Sequence, residues 1–86
     1  MYYLPKDDDF PFKLKTLRKE RGLTQFELAR KAGLHLWVIQ RFESGERLPS
    51  LYTLQNLARI LKVSIDDIYR NPLPDNILSD TGKHIS

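Results

Sequence analysis

An all-α fold of five short helices is what this chain of 86 residues predicts, and three features carry the prediction. Apolar residues recur at i, i+3 and i+4 spacing through its middle, and no stretch alternates polar and apolar as a half-buried strand would. Glycine and proline cut the periodic stretches into short segments. Ser or Thr stands just ahead of several segments, twice followed three residues later by Glu or Asp, the arrangement that ties off the free N–H groups of a helix start.

The first helix opens at Phe10-Pro11-Phe12. Proline is tolerated in a first turn because its missing N–H would have no intrahelical partner there, and Phe10, Leu14 and Leu17 share one face. Gly22 stops it. Thr24 caps the second helix, with Glu27 completing a capping box and Gly33 ending it after Ala32; Leu28, Ala29 and Ala32 form a small inward face. The third runs from about His35, which caps or opens it, to Ser44, and turns Val38, Ile39 and Phe42 inward. Ser50 caps a fourth, whose stripe is Leu51, Leu54, Leu57, Ala58 and Leu61. Ser64 caps a short fifth with Asp67 three residues on, and Ile65, Ile68 and Tyr69 pack inward. Asn71-Pro72-Leu73-Pro74 then breaks the periodicity, leaving a polar end. The expected organisation is an N-terminal arm over residues 1–9, one folded unit over 10–70 and a C-terminal tail over 71–86.

Eighty-six residues suffice for one small core. The absence of cysteine rules out disulfides and thiolate metal sites and fits a cytoplasmic protein. No apolar run reaches the length of a membrane span, and Met1 to Asp9 is too acidic for a signal peptide. The net charge of +3 conceals a segregation. Residues 13–62 hold eleven Lys/Arg against four acids, a balance of +7, whereas residues 1–12 and 63–86 each carry −2. A positive helical unit between acidic ends suits a polyanion, although solvated helices also carry many Lys and Arg.

Catalytic chemistry is not expected. His35 and His84 have no second ligand at metal spacing, and Asp7-Asp8-Asp9 reads as a solvated arm rather than a cation site. Ser44-Gly45 lacks the strand-turn-helix setting of a nucleophile elbow. Neither a metal nor a cofactor is implied.

The informative stretch is Arg21 to Pro49, two short helices around a turn containing Gly33, which is a helix-turn-helix arrangement. At about 100° per residue, Trp37 and Gln40 lie roughly 150° from the centre of the Val38/Ile39/Phe42 stripe, with Leu36 and Arg41 on its flanks. That face is left for a partner.

The spacing of Leu14-Lys15-Thr16-Leu17-Arg18, Gly22-Leu23-Thr24-Gln25, Glu27-Leu28-Ala29, Ala32-Gly33-Leu34, Phe42-Glu43-Ser44-Gly45, Pro49-Ser50-Leu51, Leu57-Ala58 and Val63-Ser64 resembles that of the phage-repressor and Cro-like helix-turn-helix domains, the XRE family. The resemblance covers about residues 10–69 without an insertion. It implies a compact lambda-repressor-like domain of five helices whose third is the recognition helix in the major groove.

Carried onto this sequence, it implies that Gln25, beside the Thr24 cap, donates to a phosphate; the plainer reading makes Thr24-Gln25 only a cap. Leu36, Trp37, Gln40 and Arg41 take the base-reading positions, with Ser44 and Arg47 placed for the backbone. Gln40 suits adenine, and Arg41 suits guanine or a phosphate. Leu36 and Trp37 depart from the small or polar residues usual there. They fit thymine methyl groups, while Trp37 could instead fold back as peripheral core or anchor a protein interface. Arg18 and Glu43, ordinary surface charges from spacing alone, match a structural ion pair joining helices one and three.

The function implied is a sequence-specific, double-stranded DNA-binding transcriptional regulator, in particular a repressor, acting as a homodimer on an inverted repeat. The fifth helix and tail, with Tyr69, Leu73, Ile77 and Leu78, would supply the dimer contact, although composition also allows an unordered tail. The rival readings are a protein-interaction module, such as an antitoxin whose partner is a protein, and non-specific nucleic-acid binding.

Overall fold

The computed structural model describes residues 9–69, and the order of elements is α1 Phe10–Glu20, α2 Gln25–Ala32, α3 Leu36–Ser44, α4 Leu51–Leu61 and α5 Ile65–Ile68. The arm before Asp9 and the tail beyond Tyr69, including Leu73, Ile77, Leu78 and His84, lie outside the described residues.

Local chemistry accounts for most helix ends. The Thr24 hydroxyl accepts from Glu27 N at 3.0 Å while Glu27 Oε1 accepts from Thr24 N at 2.8 Å, so two otherwise unpaired donors at the start of α2 are satisfied reciprocally. Ser64 and Asp67 repeat the arrangement at α5, and Ser50 accepts from Thr53 N at α4. His35 precedes α3 without a side-chain cap bond, so it opens that helix through extended backbone alone. Gly33 and Gly45 close α2 and α3 in the left-handed region, at φ 70° and 85°. At the end of α4 that conformation falls to Lys62, at φ 61°, where a side chain is strained and glycine is usual.

The core is one cluster to which every helix contributes. Phe10 and Leu14 of α1, Leu28 and Ala29 of α2, Val38, Ile39 and Phe42 of α3, Leu54, Leu57, Ala58 and Leu61 of α4 and Ile68 of α5 are buried, with Tyr69 just beyond. Leu17, Ala32, Leu51 and Ile65, expected inward, are half-buried and pack on its edge. The Phe10 ring meets Phe42 edge-on at 6.2 Å and Tyr69 at 5.8 Å, so one aromatic at the start of α1 joins α3 to the end of α5. Such pairs contribute about 0.5–1.5 kcal/mol beyond the area they bury. Tyr69 is therefore core. The expectation that it also serves a dimer contact is corrected, since a ring 5% exposed against Phe10 has little surface left for a second chain.

Two polar ties hold helix ends together across the chain. Arg21 Nε donates to the Leu61 carbonyl at 2.7 Å, placing a cation where the C-terminal carbonyls of α4 lack partners. Asn56 Nδ2 donates to the Ala32 carbonyl at 3.1 Å, a neutral partner for a C-terminal carbonyl of α2. No helix among the described residues is long and apolar enough to cross a membrane, and no group of His, Asp or Glu among them could hold a metal ion.

Candidate nucleic-acid interface

The site begins with how α3 is held. Its inward stripe, Val38, Ile39 and Phe42, is buried, which fixes rotation about the helix axis and turns Leu36, Trp37, Gln40, Arg41 and Ser44 outward. Rotation is locked further by Glu43. Arg18 Nε donates to Glu43 Oε2 at 2.6 Å and Arg18 Nη2 to Glu43 Oε1 at 3.0 Å, a two-pronged pair whose side chains are 8% and 3% exposed. The remaining arm of the guanidinium is also used, with Arg18 Nη1 donating to the Leu23 carbonyl at 2.8 Å. Gln25 Nε2 donates to Glu43 Oε1 at 3.0 Å. Four points of the chain, in α1, the α1–α2 turn, α2 and α3, thus converge on one charge pair.

Burying two charges is costly unless their hydrogen bonds are made, and here they are. The side chain of Gln25 is consequently part of this brace. An amide nitrogen carries two N–H groups and this bond commits one, so donation to a phosphate would use the other. Sequence spacing gave no sign of this bond, because its partner lies 18 residues away on another helix.

On the outward side the arrangement is open. Gln40 is exposed, and Leu36 and Trp37 are 38% and 45% exposed. Three side chains meet the indole of Trp37: the guanidinium carbon of Arg41 lies over the ring at 5.1 Å from its centroid, that of Arg47 at 5.3 Å, and His35 stacks nearly parallel at 6.4 Å. Trp37 is therefore neither buried core nor a bare apolar patch; its ring carries two cations. Arg41 also meets Glu46 at 3.8 Å, an exposed and loose pair. Ser44 serves the backbone of the following turn, its hydroxyl donating to the Arg41 carbonyl at 3.2 Å and accepting from Glu46 N at 3.4 Å. That same carbonyl accepts from Glu46 N and Arg47 N, at 3.0 and 3.2 Å. With Gly45 left-handed, the chain turns back so that Arg47 reaches a residue of α3.

The structure thus gathers Trp37, Arg41 and Arg47 into one cluster flanked by Leu36, Gln40 and Ser44, while Thr24 and Gln25 belong to the start of α2. Reasoning from sequence missed His35 as a stacking partner and Arg21 and Asn56 as helix-end ties. The i, i+4 spacing of Trp37 and Arg41 was the one available signal for the stack.

The fold and this outward helix define a DNA-binding class of architecture, two helices about a glycine turn with the second buried along one side and exposed along the other. A helix-turn-helix family model matches residues 14–68, and the chain belongs to that family, the XRE helix-turn-helix domains. The uncharacterized HTH-type transcriptional regulator YqaE of Bacillus subtilis is 33% identical over 76 residues, covering 88% of this chain and 66% of YqaE. The cryptic phage CTXphi transcriptional repressor RstR of Vibrio cholerae is 36% identical over 56 residues, covering 65% of this chain and 50% of RstR. The chain therefore spans 66% and 50% of the length of these two relatives.

Among solved structures, the restriction-modification controller C.AhdI from Aeromonas hydrophila aligns with a TM-score of 0.68 at 31% identity, over 71% of this chain and 92% of that one. SinR, the master regulator for biofilm formation, solved in complex with DNA, aligns with a TM-score of 0.62 at 32% identity, over 65% of this chain and 90% of that one.

Proposed function

We propose that this protein is a sequence-specific, double-stranded DNA-binding transcriptional regulator, in particular a repressor, which lays α3 in the major groove. The observation that carries the reading is the division of α3: one side buried and pinned through Glu43, the other presenting Gln40, Arg41 and, from the next turn, Arg47. Gln40 and Arg41 have the chemistry to contact base edges, while Thr24, Gln25, Ser44 and Arg47 are suited to phosphates. Leu36 would meet thymine methyl groups. The +7 balance over residues 13–62 supplies the field that draws a duplex in. The relatives add support, since RstR is a transcriptional repressor and SinR has been crystallised with DNA.

Residues 10–70 form the DNA-binding unit in this reading, with 1–9 as an arm and 71–86 as a tail, and the protein acts in the cytoplasm as a homodimer. Two copies related by a twofold axis would set their α3 helices about 34 Å apart on an inverted repeat. With Tyr69 taken by the core, the dimer contact falls to the rim of α5 and to Leu73, Ile77 and Leu78.

Selection of bound sequences from a random duplex pool tests the whole reading. Enrichment of an inverted repeat, bound in a salt-dependent manner and far more tightly than random duplex, is the expected result. Equal affinity for all duplexes would reduce the function to non-specific binding, and no binding would overturn it.

A further inference from the structure

The Trp37 indole is chemically out of place on a face that reads base edges, yet it sits at the centre of that face. Its ring has Arg41 at 5.1 Å and Arg47 at 5.3 Å, residues separated by the end of α3 and a left-handed Gly45. Two like charges would ordinarily spread apart, and long arginine side chains would sample many rotamers in solvent. The negative face of an indole attracts both. A cation–π contact draws on the charge of the guanidinium and consumes none of its N–H donors, which stay available for a phosphate or a guanine.

We propose that Trp37 is the positioning residue of the interface: it contributes to duplex binding by holding the guanidiniums of Arg41 and Arg47 at one ring on the exposed side of α3 before DNA arrives. This deepens the DNA-binding reading and rests on it. The gain is preorganisation, because side chains already ordered in the free protein lose less freedom when they bind. Each exposed cation–π contact is worth about 0.5–1 kcal/mol, or roughly a 2- to 5-fold effect on affinity. Loss of the ring should therefore weaken binding by about 5- to 30-fold when both arginines are present.

Two measurements on the full chain separate this inference from the reading beneath it. In the free protein, the side-chain Nε–H and CδH2 resonances of Arg41 and Arg47 should be shifted upfield by the indole ring current, and Trp37→Leu should abolish the shifts without lowering the melting midpoint. Absence of the shifts overturns the platform. The second measurement is a mutant cycle on the duplex recovered by selection. Trp37→Leu should cost about 5- to 30-fold and Trp37→Phe distinctly less, because phenylalanine keeps a smaller π face. In an Arg41→Ala/Arg47→Ala background, Trp37→Leu should change affinity less than about 2-fold, since the cations it would position are gone. An undiminished effect of Trp37→Leu in that background would show the indole touching DNA itself, and tighter binding by Trp37→Leu would show that the arginines must leave the ring; each overturns the proposal. Wild-type protein that bound no duplex while keeping the ring-current shifts would instead strike down the DNA-binding reading, and the role of the platform in duplex binding with it.

Discussion

Helix α3 carries an Arg–Glu pair on each of its two sides, and the pairs could hardly be less alike. Arg18 and Glu43 meet at 2.6 Å with side chains 8% and 3% exposed, and their remaining polar atoms are taken up by the Leu23 carbonyl and Gln25. Arg41 and Glu46 meet at 3.8 Å with side chains 57% and 68% exposed. In the buried pair the charges are withdrawn from water and removal of either strands the other; in the exposed pair, water replaces whatever is lost. Similar residue types thus hold the fold on one side and remain available to a ligand on the other. Burial, and not composition, decides which.

The largest expected effect breaks the buried side. Glu43→Ala should lower the unfolding free energy by about 3–5 kcal/mol, because it leaves the Arg18 guanidinium desolvated without its carboxylate. Arg18→Ala should cost a similar amount, while replacing both by leucine should cost much less than the two single losses together. Denaturant titrations of the three variants check this, and a Glu43→Ala protein as stable as wild type would mean that the pair does no structural work in solution. Duplex binding by the single variants should fall only as folding fails, and should return on cooling.

A smaller effect belongs to the start of α2. Thr24→Ala removes the acceptor for Glu27 N and should cost about 1 kcal/mol. The thermal midpoint should drop by a few degrees, and an unchanged midpoint would place the capping box among contacts without energetic weight. Glu46→Ala removes the acid of the exposed pair. Because its partner is solvated, the unfolding free energy should move by about 0–1 kcal/mol, and a loss approaching that of Glu43→Ala would erase the distinction between the two pairs.

What was legible in the sequence follows the range of the interactions concerned. Capping boxes at Thr24/Glu27 and Ser64/Asp67 span three residues, and the glycines that end α2 and α3 act through their own backbone, so these boundaries could be read directly. The stripe on α4 was equally plain because packing leaves a periodic trace. Bonds between helices leave none: Gln25 to Glu43, Arg21 to the Leu61 carbonyl and Asn56 to the Ala32 carbonyl depend on where separate elements dock. Tyr69 marks the boundary. Its apolar character suited both a core and a dimer contact, and only the position of Phe10 assigns the ring to the core. At Trp37 the sequence showed an aromatic exposed on the wheel, but not the two guanidiniums over it, one of them carried there by the turn at Gly45.

In the proposed function, the outward side of α3 binds a duplex and contributes little to folding. Paired measurements on Arg41→Ala, affinity for the selected duplex and thermal midpoint, test it most directly. The expected result is an affinity loss of about 1–3 kcal/mol at an unchanged midpoint, with relaxed preference at one base pair if Arg41 meets a guanine and uniform weakening if it meets a phosphate. Undiminished affinity, or a fall in affinity that follows a fall in the midpoint, would contradict it.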